Sequence, residues 1–273
     1  MVSEVPVRVV SSATTLGKDA VGCVVVSGSH AGVVATAVTA RTGARAAIHH
    51  DAGFGRDHAG VRGLDWADRF GMAVAAVSYE TARIGDGEDV LRRGVISLAN
   101  RSATACGVCA GMSCSEAAGL LRGAPLPHSA PDPFPMLRAT YDEAPGRRRI
   151  LWLDSVTHSR AEDASAIVAV GSHGGMTSGE HALQAGLQLV IFNDAGIGID
   201  DAGVAALKLL ERSGLAALAV SAQSARIGEG LSTLRDGIVS RVNAPARKLG
   251  ADVGVAALEF ARSAARQAGR GET

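Results

Sequence analysis

The 273-residue chain is written twice at a constant spacing. His30 and His173, Asp51 and Asp194, and Arg83 and Arg226 each lie 143 positions apart, and no gap is needed to keep the register. The surrounding words repeat as well. VVVSGSHAG (24–32) returns as VAVGSHGG (168–175), HDAGFGRDHAG (50–60) as NDAGIGIDDAG (193–203), SYETARIGDG (78–87) as SAQSARIGEG (221–230) and GVISLAN (94–100) as GIVSRVN (237–243). Each copy is about 120 residues, a normal domain size, and whatever architecture one copy adopts the other must also support. The spacing predicts a first repeat over residues 1–121 and a second over 150–273, set about a pseudo-twofold like a homodimer fused head to tail. Residues 122–149 hold six of the eight prolines. Proline fixes φ and removes a backbone donor, so this segment reads as an extended linker.

Two kinds of segment alternate within each copy. VGCVVVSG (21–28), ARAAIHH (44–50) and MAVAAVS (72–78) are short, nearly continuous apolar runs, as expected of strands buried on both faces of a parallel sheet. AGVVATAVTARTG (31–43) and DHAGVRGLDWADRFG (57–71) are helical stretches closed by glycine. In the second copy AIVAVG, LQLVIF and LAALAVS are separated by HALQAG and DAGVAALKLLERSG. The fold class is α/β, a tandem duplication of a βαβαβ unit with mainly parallel sheets and helices on their faces.

Composition narrows the range of partners. Lys plus Arg equals Asp plus Glu, 27 against 27, so no global field draws the chain to nucleic acid or an anionic membrane. Aromatic residues are only 3%, which removes the stacking platforms single-stranded nucleic acid needs. With no apolar run of membrane-spanning length and no leader-like start, a cytoplasmic location is expected. No G-x-G-x-x-G follows a strand and no G-x-x-x-x-G-K-[ST] occurs, so no nucleotide cofactor is expected. Cys106, Cys109 and Cys114 lie in CGVCAGMSC, a spacing that can hold zinc or an iron-sulfur centre. Their counterparts are Leu249, Asp252 and Ala257, so packing is the expected role and no metal is assigned.

The three repeated motifs, G-S-H-x-G, D-A-G-x-G-x-D and S-x-x-x-A-R-I-G, each follow a strand directly. In an open α/β sheet such loops gather at the carboxyl ends of the strands, where ligands bind. This edge collects a candidate catalytic set, Ser29, His30 and Asp51, repeated as Ser172, His173 and Asp194. Gly28, Gly32, Ser78 and Arg83, with Gly171, Gly175, Ser221 and Arg226, form the candidate substrate-binding set. The glycines permit tight turns and close approach to an anion at a helix start. Histidine supplies general acid or base chemistry near neutral pH. Asp51 is placed to orient His30 or to coordinate a cation, and Asp57 to cap the following helix. Arg83 and Arg226 suit two-point binding of a carboxylate or phosphate; a bridge from Arg83 to Asp51 or Asp86 is the structural alternative. His49, His50 and His58 surround Asp51, but Phe192, Asn193 and Asp201 replace them in the second copy, which marks them as incidental.

The order strand, S-H-G loop, helix, strand, D-A-x-x-G, helix, strand resembles the caspase-haemoglobinase-like proteases over about 60 residues of each copy. The resemblance implies an α/β sheet with a histidine loop ending one strand and a cysteine ending the next. Ala52 and Ala195 stand where that cysteine would be, so cysteine protease chemistry is not carried over. The repeat-built α/β plan is also similar to ring-opening amidohydrolases such as cyanuric acid hydrolase and barbiturase. Their repeated Ser and Lys pattern is not matched, since Lys18, Lys208 and Lys248 do not recur at the offset. The expected function is a hydrolase acting on a small anionic or amide-containing molecule, with His30 and His173 as acid or base and a homo-oligomer left open. Isomerase or lyase chemistry uses the same parts. The alternative is a non-catalytic small-molecule-binding or scaffold protein derived from a protease-like fold.

Overall fold

The computed structural model describes residues 4–129, 131–132 and 134–267. The chain forms two compact units. The first runs to Phe54 and includes His58–Pro135 and Gly198–Asp200; the second includes Gly55–Asp57, Met136–Ile197 and the chain from Asp201 onward. Each unit therefore incorporates three residues from the other half of the sequence.

In the first unit β1 (Val7–Val10) precedes β2 (Val24–His30), α1 (Val33–Arg41), β3 (Ala46–His50), α2 (Gly63–Asp68), β4 (Ala73–Val77), α3 (Gly87–Arg93), β5 (Ile96–Ala99), α4 (Arg101–Ala105) and α5 (Cys114–Leu121). The sheet order is β1-β2-β3-β4-β5, parallel from β1 to β4 and antiparallel at β5. Consecutive parallel order with right-handed crossovers puts successive connecting helices on one face. Accordingly Val25, Ala47, Val74 and Ala76 pack with Leu64, Ala67 and Phe70 of the α2 region. The alternate residues Val24, Val26, Ile48, Ala75 and Val77 pack with Val90 of α3 and Cys114, Ala117 and Leu121 of α5. Burial on both faces is why the strands read as continuous apolar runs.

The second unit holds β6 (Arg138–Asp142), β7 (Ile150–Leu153), β8 (Ile167–His173), α6 (Met176–Gln184), β9 (Leu189–Asn193), α7 (Ala206–Arg212), β10 (Ala216–Val220), α8 (Gly230–Arg235), β11 (Val239–Val242), α9 (Ala244–Lys248) and α10 (Ala257–Gln267). Its sheet runs β6 to β11 in consecutive order, and β7 to β11 repeat the directions of β1 to β5. The extended-linker reading of 122–149 needs correction at one place. Residues 138–142 form β6 and pair antiparallel with β7. Arg138 donates to the buried Asp163, and Tyr141 packs on the unit's core, so this stretch is held to the second sheet.

Both copies carry a wide irregularity at the G-S-H motif. From Val26 to His30 β2 spends four steps where β3 spends two, from Ile48 to His50, and Ala169 to His173 against Ile191 to Asn193 repeats it. The extra residues bulge out and swing the histidine to the start of the next helix.

Candidate functional site at the strand ends

His30 closes β2 with 9% of its surface exposed. Gly32, the residue before α1, donates its backbone N–H to His30 Nδ1 at 3.1 Å. A side chain at Gly32 would collide with this ring, 2.6 Å from Nδ1, which explains the glycine. The accepted bond uses the Nδ1 lone pair and so places the proton of the neutral imidazole on Nε2. Burial, then the charge of His50, lowers the His30 pKa to about 4, so the ring is neutral at physiological pH. His173 repeats the arrangement, accepting from Gly175 N–H at 3.0 Å.

The other predicted site residues also make bonds that tie the loops together. Ser29 does not face His30: its Oγ accepts from Ala13 N–H at 2.9 Å, and Ser172 Oγ accepts from Val156 N–H at 3.0 Å. Gly28 O accepts from Gly85 N–H at 2.8 Å, and Gly171 O from Gly228 N–H at 2.7 Å. A Cβ at Gly28 would lie 2.7 Å from Ser11 O, so this glycine serves close packing. Ser78 and Ser221 accept from the N–H two residues on, Glu80 and Gln223, each at 3.2 Å.

Asp51 is buried, and its Oδ1 accepts from Gly53 and Tyr79 N–H, both at 2.9 Å. Asp194 Oδ1 does the same with Gly196 at 3.0 Å and Ala222 at 2.8 Å. Each carboxylate ties the D-A-G loop to the end of the next strand. Among the described residues no hydrogen bond joins Asp51 to His30, so Asp51 does not orient that ring; its Oδ2 is buried without a protein partner. Asp57 caps no helix, because α2 starts at Gly63 and its cap position is Arg62.

The arginines are paired too. In the first unit Arg83 meets Asp200 at 2.7 Å and Asp89 at 3.7 Å, rather than Asp51 or Asp86. In the second Arg226 meets Asp57 at 2.7 Å and Glu229 at 3.4 Å. Each of these guanidiniums is thus engaged by carboxylates, and Arg92 and Arg93 share Asp89 with Arg83.

Two histidines set aside in the sequence have clear surroundings. His50 accepts from Ala52 N–H at Nδ1, and its Nε2 lies 3.0 Å from Ala82 O. Asn193 makes the same two bonds in the second unit, accepting from Ala195 N–H and donating to Ala225 O. His49 is fully buried, with neither ring nitrogen bonded to a protein group. Burial, then the charge of His30, lowers its pKa to about 3.

Cys114 is a core residue whose thiol burial raises to about 12, and Cys106 donates to Ser102 O while Cys109 is exposed. Among the described residues no three His, Cys, Asp or Glu side chains gather to hold a metal ion, and no helix is long and apolar enough to cross a membrane. A concavity of about 780 Å³ beside Leu120 is lined by Cys109, Met112 and glycines, away from the strand ends. No family model, curated protein or solved structure matches the chain.

Proposed function

We propose that the protein is an enzyme acting on the carbonyl group of a small, uncharged molecule, an amide foremost, with His30 as the hydrogen-bond donor to the carbonyl oxygen. The carrying observation is the Gly32 N–H to His30 Nδ1 bond, which commits a neutral ring to Nε2–H. A ring in this state is a poor base, since its one lone pair is occupied, but a good donor. As water attacks an amide the carbonyl oxygen gains negative charge, and a fixed donor in a poorly solvated site stabilises that charge more than it stabilises the substrate. A neutral imidazole whose Nδ1 accepts from the start of a helix is the form that polarises carbonyls in known isomerases. Asp51 Oδ2, on the neighbouring strand end and without a protein donor, takes the proton of the attacking water in this reading and passes it to the leaving nitrogen as the C–N bond breaks. Arg83 and Arg226 already hold carboxylates, so the reading rests on the neutral imidazole donor and not on an anion site.

The test is turnover of a panel of small linear amides, lactams and imides, with esters alongside, followed by proton NMR. His30→Ala should lower kcat/KM on the best substrate about 10²- to 10³-fold. His30→Gln, which keeps an N–H donor, should retain part of the activity. A His30→Ala protein as fast as the wild type, or a wild type inert across the panel, would sink the reading.

A further inference from the structure

At two buried positions the copies differ in kind. His49 stands where the second unit has Phe192, and Thr36 where it has Gly179. Both belong to the layer between the first sheet and its α1–α2 cover. His49 pairs in register with Ala76 and shares a face of β3 with Ala47, both parts of that apolar cluster. Thr36 lies on α1 with its Oγ1 against Gly63 of α2. Gly63 also donates its N–H at 2.9 Å to the carbonyl oxygen of Ala31, the residue after His30. Neither nitrogen of His49 nor Thr36 Oγ1 has a protein partner, although both residues are fully buried.

The fold does not require these polar groups. Phe192 fills the same place in the second unit among Val190, Leu207, Ala217 and Ala219, and Gly179 lets Ala206 approach to 2.7 Å of where a Cβ would stand. Leaving buried polar atoms unpaired is unfavourable, and each such group calls for a partner. A neutral imidazole and a hydroxyl each offer a donor and an acceptor, and the cluster they join is built of apolar side chains, so the fitting occupant is small, uncharged and able to do both.

We propose that His49 and Thr36 form a buried water-binding subsite behind His30, present in the first unit and missing from the second, and that it marks the first unit as the working copy. The working-copy clause rests on the proposed function; the subsite does not. His49 is thus a positioning residue, holding through its water the layer against which His30 sits.

A high-resolution crystal structure of the full chain should show density for one water within hydrogen-bond reach of His49 and Thr36, and none beside Phe192. Melting temperatures of His49→Phe, Thr36→Val and the double variant should be non-additive, because either change alone removes a partner of the same water. An absent water, or strictly additive shifts, overturns the subsite. On a turned-over amide, His49→Phe should lower kcat about tenfold with little change in KM, while Phe192→His should leave both unchanged. Equal effects in the two copies overturn the working-copy clause. Should His30→Ala prove harmless, the proposed function falls and the subsite is judged on density and additivity alone.

Discussion

His50 shows how one side chain is replaced by another of unlike name and like geometry. An imidazole with an accepting Nδ1 and a donating Nε2–H offers the same acceptor and donor as the Oδ1 and Nδ2 of Asn193, and both tie the D-A-G loop to the carbonyl of the A-R-I-G loop. Burial lowers the His50 pKa, with Asp51 and the Ala82 carbonyl opposing, and a neutral ring suits this brace. His50→Asn should therefore stay within about 1 kcal/mol of wild-type stability, whereas His50→Leu, leaving Ala52 N–H and Ala82 O unpaired, should cost about 2 to 4 kcal/mol. Urea midpoints decide between them, and a costly Asn variant would refute the equivalence. The motif positions were legible because the chain repeats them letter for letter. The role of His50 was not, because comparison by letter scores His against Asn as a loss. Ser29 was a candidate because it too repeats, as Ser172, and in both copies the hydroxyl accepts from a backbone N–H sixteen residues earlier, Ala13 and Val156.

The D-A-G-x-G-x-D element is unusual as backbone. Ala52, Gly53, Phe54 and Gly55 have φ of 52°, 66°, 61° and 68°, and Ala195 to Gly198 repeat the run with Ile197 at 67°. Four consecutive left-handed residues make a turn that L side chains resist by about 1–2 kcal/mol each. It is closed by Phe54 N–H to Asp51 O at 3.0 Å and by Ile197 N–H to Asp194 O at 2.7 Å. Gly60 holds it from outside, since a Cβ there would run into the Asp51 carbonyl, and Gly203 stands likewise against Asp194. The obstruction is backbone that cannot swing aside, so Gly60→Ala should cost about 3 kcal/mol or more. Gly214→Ala is the comparison: its φ is 74° but nothing lies within 4 Å, and it should cost only the backbone term, about 1 to 2 kcal/mol. Equal costs in denaturant unfolding would mean the Asp51 carbonyl yields. The glycines announced a turn in the sequence, but its handedness was hidden because Ala, Phe and Ile seldom take positive φ. The edge strands were hidden as well. Val7–Val10 and Ile96–Ala99 are only partly buried and lack the continuous apolar run of β2 to β4.

For the molecule as a whole, the unequal distribution of buried histidine predicts unequal response to acid. His30 and His49 titrate near 4 and 3 in the folded first unit against 6.5 when unfolded. A folded pKa below the unfolded one gives stability that is complete above pH 6.5 and is lost as pH falls toward the folded value, because the unfolded chain binds protons the folded unit refuses. Between pH 6 and 5 both rings are largely protonated in the unfolded chain and neutral in the folded unit, so stability should fall by about 2 to 3 kcal/mol per pH unit there. His50, also lowered, steepens this. The second unit has Phe192 and Asn193 at the positions of His49 and His50, so two of these titrations have no counterpart there. Each unit contains one of the two tryptophans, Trp66 in α2 and Trp152 in β7, so Trp→Phe variants report each unit separately. Urea titrations by fluorescence should show the Trp66 transition moving to much lower urea between pH 7 and pH 5 while the Trp152 transition moves less. His49→Phe should reduce the Trp66 pH dependence by about one proton. If both transitions shift equally, the histidines are not the buried neutral groups on which the His30 donor role depends.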